Sequence, residues 1–230
     1  SSYLDNVGDL YNTGVELDLN LNIFNKKNFT WDVNFNATTW KNRITALHPD
    51  KKTDSCFDAE GNEYKGYVSG STFIAEGLSM YTWRYKDYAG VNEKGQAMWY
   101  VTDKTAKDAD GNPIFARTTT TDYSQADYYV TNETSIPKMY GGFGTSLRFH
   151  DFDFAINFSY QLGGKLHDST YAQFMASPTG TTSGYNYHAD ILDSWTPQNT
   201  ESVIPRFCFG DVYSSSASTR FLTSASYLNI

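Results

Sequence analysis

The sequence predicts an all-β protein, on the basis of residue alternation, strand length and the lengths of the connections. Two long segments change from apolar to polar at almost every residue, and each has a short turn near its middle. Their arms are about ten residues long, longer than most strands of soluble proteins and close to the ~9 to 11 residues of a tilted membrane strand. Short turns alternate with long polar connections. Together these features favour a segment of a large antiparallel transmembrane β-barrel, with short periplasmic turns and long extracellular loops.

The first alternating segment, Gly14 to Trp40, reads GVELDLNLNIFNKKNFTWDVNFNATTW. A period of two is typical of a strand whose two faces meet different surroundings. We expect a hairpin that turns at Asn25 to Asn28, with its Asp and Asn side chains facing water. The apolar positions predicted to face lipid are Val15, Leu17, Leu19, Leu21, Trp31, Val33 and Phe35, and Ile23 shares their parity.

The second alternating segment, Tyr140 to Gly163, reads YGGFGTSLRFHDFDFAINFSYQLG and is predicted to turn at His150-Asp151. After this turn Phe154, Ile156 and Phe158 share the predicted lipid-facing parity. Opposite them, Asp153, Asn157, Ser159 and Gln161 would line a watery lumen.

A weaker middle pair is predicted from the alternation in Tyr81 to Lys86, a turn at Asn92 to Gly95, and a strand from Gln96 to Thr102. With the start of another strand at Ser226 to Ile230, this gives six strands and part of a seventh. The long loops would be Lys41 to Ile74, Asp103 to Ile136 and Gly164 to Phe221. Such a sheet has two open edges, which lipid does not tolerate, so the chain is expected to be a piece of a barrel.

A soluble β-sandwich is the alternative, because alternation alone also fits a sheet whose apolar face packs inward. The composition of the chain argues against some classes of function and suits others. The net charge of −8 argues against nucleic-acid binding, which depends on clustered Lys and Arg. Aromatic residues make up 17% of the chain and include 18 Tyr, which suits surfaces where one end of the ring is wet.

Catalysis finds little support in the sequence. The four histidines, His48, His150, His167 and His188, are scattered, and neither a H-E-x-x-H nor a G-x-S-x-G motif is present. The chain is therefore predicted not to be an enzyme, and no catalytic residue is assigned.

Two kinds of binding site are considered. Aromatic residues in the long loops could stack on sugar rings or could pack the loops together; these ligand-contact candidates are Tyr171, Phe174, Tyr185, Tyr187 and Trp195. The segment Asp108-Ala109-Asp110-Gly111-Asn112 resembles the first half of a calcium loop, with Asp108, Asp110 and Asn112 as candidate ligands. Asp-Gly is also common in ordinary turns. Cys56 and Cys208 have no metal-type spacing, and a disulfide between them is left open.

Several motifs, in order along the chain, resemble the SusC/RagA-like TonB-dependent outer-membrane transporters of Bacteroidetes. The most specific combination is IPKMYGGF from Ile136, WTPQN from Trp195, and Pro205-Arg206. Further matches are Asn12 to Leu17, Asn28 to Leu47, Tyr85 to Tyr100, and the terminal ASYLNI.

This resemblance implies a 22-stranded barrel with an N-terminal plug in the bacterial outer membrane. It implies nutrient import powered by the TonB complex, with a SusD-like surface lipoprotein as a lid and an oligosaccharide as cargo. An oligopeptide is the alternative cargo, and a non-transporting glycan-binding or adhesin sandwich is the alternative protein. Residues 1–230 would be the C-terminal portion of the barrel, without the plug and the final strands. No nucleic acid and no obligatory cofactor is expected, apart from the weak calcium candidate.

Overall fold

The computed structural model describes residues 6–180, 184 and 186–230. Its regular secondary structure is mainly strand, with one short α-helix, α1 (Ser169–Phe174), and 3₁₀ turns at Pro49–Lys51, Ala189–Asp193 and Thr219–Phe221. Within the described residues, no helix combines the length and the apolar character required to cross a membrane. The strands are β1 (Gly8–Lys26), β2 (Phe29–Leu47), β3 (Asp54–Phe57), β4 (Glu63–Ser69), β5 (Thr72–Ala75), β6 (Thr82–Lys86), β7 (Tyr88–Val91), β8 (Ala97–Thr102), β9 (Arg117–Thr120), β10 (Tyr128–Thr134), β11 (Met139–Phe149), β12 (Phe152–Leu162), β13 (Lys165–His167), β14 (Leu222–Ser224) and β15 (Tyr227–Asn229).

The largest sheet, which we call the main sheet, has the order β1-β2-β11-β12-β15, and every neighbouring pair is antiparallel. β1 and β2 are 19 residues long, and β11 and β12 are 11 residues long. The two hairpins predicted from alternation are therefore confirmed. They lie side by side, because β2 pairs with β11 from Phe29↔Phe149 to Thr39↔Met139.

Residues that are paired directly across antiparallel strands share a face, so the register shows which side chains lie together. One row runs Leu19, Phe35, Phe143 and Phe158 across four strands. The next residue along each strand gives the row Asn20, Asn34, Gly144 and Asn157 on the opposite face. All ten positions predicted to face lipid fall on the first face, which we call the apolar face: Val15, Leu17, Leu19, Leu21, Trp31, Val33, Phe35, Phe154, Ile156 and Phe158.

Toward the turns of the two hairpins, the described part of the chain places no second layer over the apolar face. Leu21 is 51% exposed and Phe154 is 58% exposed. In a β-sandwich these side chains would be buried against the second sheet. The sandwich alternative is therefore wrong, and the all-β barrel-type sheet is the better description.

The end of the first hairpin differs from the prediction in one detail. The register shifts between Asn22 and Phe24, so Ile23 is the extra residue of a bulge and Phe24 lies opposite Trp31. The Phe24 and Trp31 rings stack with centroids 6.1 Å apart. The turn itself is two residues long, Lys27 and Asn28, rather than four. His150, in the predicted two-residue turn of the second hairpin, donates its N–H to Asn28 O, so the two turns are joined.

The middle pair of strands is not part of the main sheet, and this prediction was wrong. Of the six strands predicted to span the barrel wall, four lie in the main sheet. They are joined there by β15, which was predicted as the start of a seventh strand. Residues 48–138, which we call insert 1, connect β2 to β11 and fold into their own sheets, β10-β6-β5-β4-β3 and β7-β8-β9. Their strands alternate because each sheet of the insert covers a small core. One core contains Phe73, Ala75 and Val130, and another contains Trp99 and Ala126.

Residues 163–226, which we call insert 2, connect β12 to β15. The insert contains α1, the 3₁₀ turns at residues 189–193 and 219–221, and the two-stranded sheet β13-β14. Its core is formed by Ala172, Met175 and Phe221. The predicted long loops are therefore folded units with interiors of their own.

Three turns in insert 1 share one sequence pattern and one set of hydrogen bonds. The segments are Asp58-Ala59-Glu60-Gly61-Asn62, Asn92-Glu93-Lys94-Gly95-Gln96 and Asp108-Ala109-Asp110-Gly111-Asn112. In each, the first side chain accepts N–H groups two and four residues later, and the fourth residue is a glycine with positive φ. The glycine is required because other residues rarely adopt that conformation.

These turns provide a matched test of buried and exposed carboxylates. We expect Asp58→Ala to lower the free energy of local opening by ~1 to 3 kcal/mol, because two amides lose a charged acceptor that is 2% exposed. Asp108→Ala should have a smaller effect, because water reaches that turn. Hydrogen exchange of the turn amides in the full-length protein measures both effects, and equal losses would contradict the explanation.

The Asp58 turn should also respond to acid. Burial raises the pKa of Asp58, but hydrogen bonds from Asn62, Glu60 and Tyr64 outweigh it and hold the pKa below its ordinary value. The stabilisation is therefore present above the pKa of an unfolded Asp and is lost as the pH falls through the lowered pKa. Asp58→Asn should remove this pH dependence of amide protection, whereas persistence of the dependence would assign it to another group.

Candidate functional site

Both inserts emerge from the same end of the main sheet, opposite the two joined turns. Insert 1 leaves β2 at Leu47 and returns at Met139, and insert 2 leaves β12 at Leu162 and returns at Tyr227. The predicted asymmetry between short turns and long connections is thus confirmed for these two hairpins. The Asn92–Gly95 turn is an exception, because it belongs to insert 1 and contacts insert 2.

Asp87 is the central contact between the inserts. Its Oδ2 accepts from Arg117 Nη1 at 2.7 Å within insert 1, and its Oδ1 accepts from Thr219 Oγ1 at 2.8 Å in insert 2. The Thr219 hydroxyl in turn accepts from Tyr88 N at 2.9 Å. Since both carboxylate oxygens are used, this side chain joins the two inserts directly.

The Asn92–Gly95 turn forms a second contact. Arg206 N in insert 2 donates to Gly95 O at 2.8 Å, and its guanidinium Nη1 donates to Lys94 O at 3.3 Å. The Trp195 ring packs so closely that a Cβ added to Gly95 would lie 2.3 Å from Trp195 Cε3. Only glycine fits at this point, both for its φ of +72° and for the space.

Between these contacts lies an open cleft of about 610 Å³, which we call the insert cleft. Insert 1 contributes β7 and β8, and insert 2 contributes α1, Val203, Ile204 and Arg220. The lining side chains are mainly aromatic and apolar, with one cation: Tyr88, Tyr100, Tyr171, Val203, Ile204 and Arg220.

The charged and phenolic groups of the cleft are held in defined positions. Arg220 Nη1 donates to Ser214 O at 2.6 Å, and the guanidinium carbon lies 5.6 Å from the Tyr88 ring centroid. Burial lowers the pKa of Arg220 below its ordinary value, although it stays cationic at neutral pH. Burial, partly offset by Arg220, raises the pKa of Tyr88 to about 12, so this phenol stays neutral.

The predicted ligand-contact residues do not form one group. Tyr171 lines the insert cleft and donates its hydroxyl to Asp190 Oδ2 at 2.6 Å. Tyr187 packs edge-on against Phe207, and Trp195 packs on the Gly95 turn. Phe174, at the end of α1, is 41% exposed. Tyr185 lies outside the described residues, and ligand contact stays a prediction for all five.

Sequence reasoning missed Arg220, Tyr88 and Tyr100 as cleft residues. Tyr88 and Tyr100 lie inside the Tyr85 to Tyr100 motif, so the motif marked the region without marking the cleft. Arg220 is separated from them by more than a hundred residues and carries no local pattern. Only the contact between the inserts brings these side chains together.

The segment Asp108 to Asn112, the calcium candidate, is one of the three similar turns of insert 1. Asp108 Oδ1 accepts from Asp110 N and Asn112 N, and its Oδ2 accepts from Asn112 Nδ2 at 3.1 Å. Across residues 6–180, 184 and 186–230, no three His, Cys, Asp or Glu side chains lie together in a way that suits a metal ion. Calcium binding by Asp108, Asp110 and Asn112 stays a prediction.

Two of the four histidines have clear structural roles. His48 and His188 precede 3₁₀ turns, and the Nδ1 of each accepts the N–H of an Asp two residues later. Cys56 is buried and Cys208 is exposed, and both are free thiols, so the disulfide left open in the sequence does not form.

Insert 2 also exposes several large apolar side chains from Leu192 to Tyr213. Leu192 is 87% exposed and Phe209 is 68% exposed. Single exposed apolar residues are ordinary, but several within one short segment are typical of a surface that another protein covers. The others are Val203, Phe207, Val212 and Tyr213.

Comparison with known proteins places this architecture in context. None of the protein-family models compared with the sequence matches it. The chain is 26% identical over 207 residues to TonB-dependent receptor P3 of Formosa agariphila, an alignment that covers 90% of this chain and 20% of that protein. It is 23% identical over 243 residues to TonB-dependent receptor P26 of the same organism, with 100% and 22% covered.

Solved structures give the same result. The fold matches a structure of the RagAB peptide transporter with a TM-score of 0.71 and 24% identity, over 97% of this chain and 22% of that one. It matches the RagAB peptide importer in the closed-closed state with a TM-score of 0.71 and 25% identity, over the same shares. The chain thus spans about a fifth of the length of these relatives.

The resemblance to SusC/RagA-like TonB-dependent transporters is confirmed, since the curated relatives are TonB-dependent receptors and the structural neighbours are structures of the RagAB transporter. The predicted fold class, a segment of an outer-membrane β-barrel, is confirmed by the same comparisons. The assignment of residues 1–230 to the C-terminal portion of the barrel stays a prediction.

Two glycines in equivalent turns provide a test of the contact between the inserts. Gly95 and Gly111 both have positive φ, but a Cβ on Gly111 would meet no atom within 4 Å. We expect Gly111→Ala to cost on the order of 1 kcal/mol from backbone strain, and Gly95→Ala to cost more because it also displaces Trp195. Proteolysis of insert 2 in the full-length protein should rise only for Gly95→Ala. The same rise for both variants would rule out the packing contribution.

Proposed function

We propose that this chain forms part of the barrel of an outer-membrane TonB-dependent nutrient importer. The observation that carries the proposal is the two-faced main sheet with both inserts at one end. The apolar face would meet lipid, and the Asn- and Asp-rich face would line the lumen. The similarity to TonB-dependent receptors and to the RagAB transporter supports this assignment.

The hydrogen bonding of the apolar face supports contact with lipid. Thr145 and Trp31 are its polar side chains near mid-sheet, and they satisfy each other. Trp31 Nε1 donates to Thr145 Oγ1 at 2.7 Å, and that hydroxyl donates to Asp32 O at 3.0 Å. A polar group that has no partner in hydrocarbon costs several kcal/mol, so this closed arrangement suits a face that water does not reach.

The polar face suits a water-filled passage. Asn22 donates to Asp32 at 2.7 Å, and Gly142 N donates to Asn36 Oδ1 at 2.9 Å. The small residues Gly142 and Gly144 leave room on this face of β11, next to Asn36 and Asn157. The lumen wall would thus present amide groups, which can exchange hydrogen bonds with hydrated cargo.

The inserts would project outside the cell and contact a SusD-like surface lipoprotein as the lid. The similarity to the RagAB peptide transporter supports a partner for this protein. The exposed apolar residues of insert 2, such as Leu192 and Phe209, are suited to such an interface. Contact with the TonB complex would be made by other parts of the protein.

Oligosaccharide is the proposed cargo, because the aromatic side chains of the insert cleft suit the apolar faces of sugar rings. Oligopeptide is the second candidate, and the similarity to the RagAB peptide importer favours it. Uptake of labelled oligosaccharides and labelled peptides by cells with and without the intact gene, and with and without TonB, distinguishes the two. If deletion of the gene reduced neither the uptake of oligosaccharides nor the uptake of peptides, the import function would be refuted. Neither cargo requires catalysis by this chain.

The orientation of the main sheet can be tested with one charge at adjacent positions. Ile156→Arg should cost ~2 to 4 kcal/mol if this residue meets the bilayer midplane, because the guanidinium would lie in hydrocarbon. Asn157→Arg, on the opposite face, should cost much less. Heat-modifiable gel mobility of the full-length protein reports barrel assembly, and equal tolerance of both changes would contradict the orientation.

Topology can be tested with lysines at opposite ends of the molecule. Lys104 and Lys107 lie in an exposed tip of insert 1; Lys26 is the exposed last residue of β1, and Lys27 lies in the turn that follows it. Trypsin added to intact cells that lack the lid lipoprotein should cut at the insert tip. It should cut at Lys26 and Lys27 only after the outer membrane is permeabilised. Cleavage in the opposite order would invert the topology.

A further inference from the structure

Among the described residues, no carboxylate forms an ion pair with the cation of the insert cleft, Arg220. Arg220 makes a single hydrogen bond to the described residues, from Nη1 to Ser214 O. Within the same described ranges, none of the ion pairs at 4.0 Å or less includes its guanidinium. A guanidinium has five N–H donors, so most of them remain for water or a ligand.

The acidic groups around the cleft are engaged elsewhere or lie further away. Asp87 is used by Arg117 and Thr219, and Asp190 accepts the Tyr171 hydroxyl. Asp211 attracts Arg220 only at a distance beyond an ion pair. Arg220 is therefore the charged residue of the cleft lining, in a chain whose net charge is −8.

The position of Arg220 is fixed before any ligand arrives. On one side, Thr219 Oγ1 bonds to Asp87, and on the other, Phe221 is 0% exposed in the core of insert 2. The guanidinium carbon lies 4.9 Å from the Phe221 ring centroid. A side chain held in this way loses little conformational freedom on binding, which favours affinity.

The walls of the cleft offer apolar contact next to this charge. The Tyr88 hydroxyl donates to Val203 O at 2.7 Å, and the Tyr171 hydroxyl donates to Asp190 at 2.6 Å. Both rings are therefore held in one orientation. Gly90, with open space around its Cα, keeps one side of the cleft clear. The volume of about 610 Å³ is in the range of small-molecule sites.

We propose that the insert cleft binds a carboxylate group of the cargo, with Arg220 as its charge partner and the Tyr88 and Tyr171 rings beside the unit that carries it. A single planar guanidinium matches a carboxylate through two parallel N–H···O bonds. The inference rests on the proposed import function. The carboxylate could belong to a uronic acid of an oligosaccharide or to the C-terminus of a peptide.

Two ligand pairs distinguish these sources in binding experiments on the purified full-length protein. The first pair is an oligogalacturonate and the neutral oligogalactose of the same length. The second pair is a tripeptide with a free C-terminus and the same peptide as its amide. We expect the acid of one pair to bind roughly 10- to 100-fold more tightly than its neutral counterpart. Arg220→Gln should abolish that preference and leave the neutral ligand unchanged.

Two further variants serve as controls for the effect of Arg220→Gln on binding. Val203→Glu places a negative charge at a position that is 69% exposed, so it should fold and should weaken only the acidic ligand. Arg148→Gln removes an exposed arginine, paired with Asp153, at the far end of the sheet, and should change nothing. Equal binding of acid and neutral ligand in both pairs would overturn the inference. TonB-dependent uptake that persists in that case would leave the import function intact.

Discussion

The pairing of β2 with β11 is the constraint on which the rest of the structure depends. These strands are separated by the whole of insert 1, yet eleven consecutive residues of β11 lie opposite β2. The pairing satisfies the backbone groups along both strands and sets the register by which the apolar rows align. It also forces residues 48–138 out of the sheet at one end. Because insert 2 leaves β12 at the same end, the two inserts become neighbours and the cleft forms between them.

The sequence was sufficient to predict the main sheet because its strands are long and two-sided. A one-residue shift in register would move every Phe and Leu of β12 to the polar face, so the alternation of Phe154 to Phe158 fixes the arrangement. Two-residue turns such as His150-Asp151 are local signals as well. The bulge at Ile23 was not predictable, because Phe24 also fits an apolar position and nothing nearby distinguishes the two.

The inserts were predicted less well, for a physical reason. Tyr81 to Lys86 alternates as a barrel strand does, since any sheet with one covered face has a period of two. Whether the covering layer is lipid or the protein's own core depends on partners distant in sequence. The insert cleft was difficult to predict for the same reason. Tyr171 could be proposed from its residue type, but Arg220 gains its role only through Thr219 and Asp87, which lie in different inserts.

The separate cores of the inserts have a consequence for how the chain folds. Closing a long unstructured loop to pair β2 with β11 costs conformational entropy, which grows with the logarithm of the loop length. Insert 1 builds its own clusters around Phe73 and Trp99 from contacts within residues 48–138. Once it has folded, the separation of its two ends at Leu47 and Met139 is fixed, and the effective loop becomes shorter. A sheet of high contact order can then assemble by joining preformed hairpins, at a rate set by the insert and not by the span of sequence that it occupies.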